Sequence, residues 1–167
     1  MTIIDSPSPN WDARTLPVSM IVLHYTGMPD AAGALARLRD PAAKVSCHYL
    51  VDEDGAVHRL VDERHRAWHA GKAHWRQIDD VNSASVGIEI VNPGHDWGYR
   101  PFPDAQIAAL IPLVADVKQR QAQAREAGPG EQLAGIALSG GGGIRMADDV
   151  AAGDAVALLD VGDERDQ

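Results

Sequence analysis

Two short apolar runs, Val18–Tyr25 and Ser85–Val91, constrain this chain more than any other feature. Both are rich in β-branched residues and end at turn formers, Gly27-Met28-Pro29-Asp30 after the first and Asn92-Pro93-Gly94 after the second, so each reads as a buried strand. The first also carries His24 and the second Glu89. Between the runs, Ala31 to Leu38 predicts a helix ended by Asp40-Pro41. Val45 to Val51 and Ala56 to Val61 predict a hairpin, because Asp54-Gly55 accepts the positive φ angles of a tight turn. Pro103-Asp104 opens a second helix whose apolar residues Ile107, Leu110, Ile111, Val114 and Val117 form one stripe, with Pro112 expected to bend or divide it. Strand, helix, hairpin, strand and helix in this order predict an α/β sheet covered by helices.

Residue types are distributed unevenly along the 167 positions. All seven histidines lie at or before His95, and every Trp, Tyr and Phe at or before Phe102. From Gln121 onward the chain is rich in Gly and Ala, contains no Lys, and carries most of the formal net charge of -9. With no aromatic to anchor a core, residues 126–167 are expected to form a flexible Gly/Ala/acidic tail behind one domain spanning 10–125. The acidic balance, without a basic block, argues against nucleic acid or an anionic membrane as partner. A lone Cys47 rules out an internal disulfide and a multi-cysteine zinc framework. No apolar run is long enough to span a bilayer, and the start lacks a basic segment followed by an apolar one, so a cytoplasmic location is expected. A periplasmic location would follow from an N-terminal extension.

Three places invite chemistry. His24 ends a strand just before a glycine turn, where α/β sheets commonly place active sites, although a single histidine there is also an ordinary hydrogen-bonded structural residue. Glu89 sits inside an apolar run, where a carboxylate is costly unless paired or functional; it points either into a polar cleft or out from a half-buried strand. The stretch Arg66 to Trp75 is dense in Trp, His and Gly and suits either stacking on a ligand or a small core that pins a loop. His58 and His65 have no such context and read as surface residues.

Seven segments, in order over roughly residues 17 to 120, resemble one family. They are Val22-Leu23-His24-Tyr25-Thr26, Val45-Ser46-Cys47-His48-Tyr49-Leu50-Val51, Asp54-Gly55, Arg66-Ala67-Trp68-His69-Ala70-Gly71, Asn82-Ser83, Val86-Gly87-Ile88-Glu89-Ile90 and Phe102-Pro103-Asp104-Ala105-Gln106. Together they are similar to the zinc-dependent N-acetylmuramoyl-L-alanine amidases of the AmpD and AmiD type, and the fold this implies is an α/β one, a mixed central β-sheet flanked by helices, shared with peptidoglycan recognition proteins. The resemblance implies hydrolysis of the amide joining N-acetylmuramic acid to L-alanine, with peptidoglycan fragments or muropeptides as substrate. It implies one zinc ion with His24 as a ligand, Glu89 as the catalytic proton carrier, and Trp68, His69 and Asn82 as substrate-contacting candidates.

The chain departs from the family pattern after the long helix. There the family supplies a second His ligand, a Lys and a closing Asp-Pro-Gly with the Asp ligand; beyond Arg120 this sequence has no His, no Lys and no Asp-Pro. His48, His69 and His74 are the spare histidines. Two other readings follow from the departure: a peptidoglycan-binding module that has lost catalysis, or a truncated product with an open sheet edge.

Overall fold

The computed structural model describes residues 2–98 and 100–127 and, for the backbone alone, 157–160. The tail expected over 126–167 lies mostly outside these described residues. Strands β1 (Ile3–Asp5), β2 (Trp11–Ala13), β3 (Met20–Tyr25), β4 (Tyr49–Val51), β5 (Val57–Arg59), β6 (His65–Ala67), β7 (Ser85–Ile90) and β8 (Ala157–Asp160) alternate with helices α1 (Ala31–Arg39), α2 (Val81–Ala84) and α3 (Asp104–Ala127). The main sheet has the order β1-β5-β4-β7-β3-β8, and β2 pairs with β6 in a separate ribbon. The sheet is mixed as expected: β4, β7 and β3 run parallel, whereas β5 and β8 join antiparallel. The edge of β3 that a missing strand would leave open is paired with β8.

The two anticipated strands lie side by side at the centre of the sheet. Alternation along them sends Ile21, Val86, Ile88 and Ile90 to one face, where Leu110, Leu113, Val114 and Val117 of α3 cover them. That is the larger core. The opposite face carries Met20, Val22, His24, Ser85, Gly87 and Glu89, and is covered partly by α1 and partly by Val81, Ala84 and the loop around Trp75. Apart from Tyr25, one face of these two strands is therefore apolar, and His24, Ser85 and Glu89 gather on the other.

Several expectations are corrected. Of the two outcomes expected at Pro112, division does not occur: helix α3 runs unbroken from Asp104 to Ala127, and burial of the flanking Leu110, Leu113, Val114 and Val117 compensates the missing backbone hydrogen bond. Its buried stripe is also rotated from the expected one: Ile107 and Ile111 are exposed, while Gln106 is wholly buried. Gln106 Nε2 donates to the carbonyls of Val51 and Val91, tying the ends of β4 and β7 to the start of α3. β1 lies ahead of the boundary expected at residue 10. His58 and His65 are half-buried rather than surface residues: His58 Nδ1 lies 2.9 Å from Ser6 Oγ, and the His65 ring stacks on Trp11 at 4.0 Å. Both partners come from the N-terminal segment, far away in sequence.

The hairpin forms as anticipated, with β4 and β5 antiparallel and Gly55 at φ +86°. A Cβ on Gly55 would stand 2.7 Å from the Ala105 carbonyl oxygen. The turn thus needs glycine twice, for its backbone angle and because α3 begins against it.

Candidate active site

Parallel pairing of β3 with β7 puts His24 directly opposite Glu89, and β4 adds Leu50 on the other side of Glu89. Cross-strand partners project to the same face, so the imidazole and the carboxylate are neighbours at the C-terminal end of two parallel strands. Glu89 is half-buried, which favours the cleft over the open strand surface. Its charge, added to the larger effect of burial, pushes the Cys47 thiol well up from its ordinary range, so Cys47 is a neutral packing residue.

One row deeper, Gly87 lies between Val22 and His48, and the His69 ring rests on it. His69 Nδ1 is 3.0 Å from His24 Nε2, and His69 Nε2 is 3.1 Å from Ser85 Oγ. The His24 and His69 rings meet edge-on at 5.2 Å between centroids. Burial lowers the His24 imidazole to about 4. His69 is also pushed down, by burial first and then by His24 and His48. Both rings are neutral at pH 7.

Asn82 stands on α2 and is buried. Its side-chain oxygen accepts the backbone N–H groups of His69 and Ala70 at 3.0 and 2.8 Å, and its amide nitrogen faces the Gly71 carbonyl. Asn82 therefore holds the loop that carries His69. Trp68 is half-buried in the same loop, and its backbone is pinned by Ser46, whose hydroxyl accepts the Trp68 N–H at 2.8 Å.

Arg14 escapes a sequence reading, and so does the buried role of His48. The Arg14 guanidinium lies among the carbonyls of Glu63, His65, Ser83 and Ser85, and burial lowers it to about 10. Its side chain ties the β2–β6 ribbon to the entry of β7. No local motif announces this, because its partners, backbone carbonyls and the His48 ring at 3.0 Å, come from remote segments. His48 is wholly buried, and its Nδ1 accepts the Gly87 N–H at 2.9 Å.

Among the described residues, no three His, Cys, Asp or Glu side chains come together as a group able to hold a metal ion. Of the spare histidines, His48 spends Nδ1 on Gly87, His69 is engaged by His24 and Ser85, and His74 pairs with Asp79 at the surface. A catalytic zinc takes about three protein donors and an open position, so the described residues do not by themselves fit one.

A family model described as N-acetylmuramoyl-L-alanine amidase matches residues 14–143, most of the chain. The chain belongs to this N-acetylmuramoyl-L-alanine amidase family. It is 38% identical over 115 residues to the amidase AmiD of Escherichia coli, a match covering 62% of this chain and 41% of AmiD. It is 29% identical over 125 residues to the 1,6-anhydro-N-acetylmuramyl-L-alanine amidase AmpD of Haemophilus influenzae, covering 64% of this chain and 66% of AmpD. Among solved structures, an AmpD crystal structure superposes with a TM-score of 0.60 at 28% identity over 70% of this chain and 73% of that one. The E. coli AmiD complex with anhydro-N-acetylmuramic acid-L-Ala-D-γ-Glu-L-Lys gives 0.56 at 37% identity, covering 66% of this chain and 48% of that one. The amidase fold expected from the sequence is thus the fold observed, and the chain spans roughly two fifths to two thirds of the length of these two curated relatives.

Proposed function

We propose that this amidase-family chain binds muropeptides beside β3 and β7 and acts on the amide between the lactyl group of N-acetylmuramic acid and L-alanine. The observation that carries the reading is the pairing of His24 with Glu89 on one face of two parallel strands. In the reaction, a water oxygen bonds to the lactyl carbonyl carbon and the carbon–nitrogen bond breaks. Glu89 takes the proton released by the water and passes it to the departing alanine nitrogen. Trp68 and His69 border the groove and contact the muropeptide, with Asn82 holding their loop. The family's zinc would be bound through His24, and no step is assigned to it because the described donors fall short.

That shortfall favours a second reading, a muropeptide-binding domain with little turnover. Incubation of the purified chain with anhydro-N-acetylmuramyl tripeptide, followed by mass spectrometry and calorimetry, separates the two. Release of a free alanine N-terminus supports hydrolysis; saturable binding without release supports the second reading; neither binding nor release overturns both.

A further inference from the structure

The hydrogen bonds behind His24 have a direction that can be read from their far end. The Ser85 hydroxyl lies 2.5 Å from the Val81 carbonyl oxygen, and a carbonyl can only accept, so the one proton of Ser85 is spent there. Ser85 Oγ, 3.1 Å from His69 Nε2, must then accept from an Nε2–H. A neutral His69 protonated on Nε2 has a lone pair on Nδ1, and the atom facing that lone pair at 3.0 Å is His24 Nε2. His24 therefore carries its proton on Nε2 and donates it to His69.

We propose that Ser85 and His69 are positioning residues for His24: the chain His24 to His69 to Ser85 to Val81 fixes one tautomer and one ring orientation, and leaves Nδ1 as the nitrogen that carries a lone pair. Any ligand His24 takes up, it takes up through Nδ1. Gly87 is part of the device, since the His69 ring occupies the space a side chain there would need. Asn82 fixes the device from below by gripping the backbone at His69 and Ala70. An imidazole left without such a partner turns about its side-chain bonds and exchanges its proton between two nitrogens. A carboxylate or carbonyl behind a histidine does the same work elsewhere; here a second imidazole does it. The hydrogen-bond chain stands apart from the amidase reading, and only its consequence for turnover rests on that reading.

The test uses the whole chain labelled with ¹⁵N-histidine, at neutral pH and without added metal. Long-range ¹H–¹⁵N spectra distinguish a protonated from an unprotonated ring nitrogen. The expected wild-type spectrum has His24 and His69 each as a single tautomer protonated on Nε2. His24 protonated on Nδ1, or a mixture of tautomers in the wild type, would overturn the proposal without any variant being made. In His69→Asn the amide oxygen stands where Nδ1 stood, so His24 should keep its tautomer; in His69→Leu it should become a mixture. An unchanged single tautomer in a folded His69→Leu chain overturns the proposal as well. A wild-type spectrum as expected, in a chain that neither binds nor cleaves muropeptide, overturns the amidase reading alone and leaves the positioning role in place.

Discussion

A Cβ added to Gly87 would lie 2.3 Å from Cγ of His69, closer than any two such atoms can stand. The glycine therefore exists for the histidine: the ring that faces His24 can rest on the sheet only where β7 has no side chain. Gly87→Ala must push the ring or the strand aside, and overpacking of this kind costs ~1–3 kcal/mol. Urea denaturation should show that loss, together with a weakened His24–His69 contact in the variant's structure. Wild-type stability with the ring unmoved would mean that the loop gives way freely.

Glu89→Gln keeps the shape of the side chain and removes its ability to take a proton. Muropeptide binding should be nearly unchanged, whereas turnover should fall ~10²–10⁴-fold. The measurement is best made in a chain whose turnover is comfortably above background. Near-normal turnover would remove Glu89 from the reaction.

Trp68→Ala should weaken muropeptide binding in titration calorimetry even without metal, with folding checked by circular dichroism. Its indole is half-buried, so part of it is accessible to a ligand. An unchanged affinity would assign Trp68 to packing.

Zinc content follows from donor arithmetic. Equilibrated with one equivalent of zinc and desalted, the purified chain should retain well under one ion, because His24 is not joined by two further donors among the described residues. Replacing the sequence after Ala127 with a family-like segment bearing the His, the Lys and the Asp-Pro-Gly should raise both zinc content and turnover. Stoichiometric zinc in the unaltered chain would contradict this arithmetic.

His48 makes stability depend on pH. Its Nδ1 is occupied by the Gly87 N–H, so a second proton would set two donors against each other; burial, followed by Arg14, holds the ring down at about 3. Unfolded, the ring titrates near 6.5. Below that value the unfolded state binds a proton that the folded state refuses, so stability is full above pH 6.5 and falls as the pH drops, by about 1.4 kcal/mol per unit for each such imidazole. His24, lowered to about 4, adds to the same slope. The urea midpoint should fall between pH 7 and pH 5, and His48→Asn, which keeps an acceptor for Gly87, should flatten that fall. An unchanged slope would place its origin elsewhere.

The sequence by itself determined the central strands, the hairpin turn, the family and the two residues of greatest chemical interest, His24 and Glu89. These were legible because apolar runs, an Asp-Gly turn and a carboxylate inside a strand are local signals, written within a few adjacent residues. Tertiary structure decided which groups meet. Nothing between His24 and Ser85 announces that a histidine from a loop will lie between them, since that contact depends on strand register and on the bare backbone of Gly87. The same holds for Arg14, most of whose partners are carbonyls of remote segments, and for Gln106, buried where the stripe pattern expected Ile107 and Ile111. For Arg14 and Gln106 the physical reason is the same. A backbone carbonyl has the same chemistry in every residue, so a side chain that binds carbonyls leaves no pattern in the residues it binds, and only the folded chain brings donor and acceptor together.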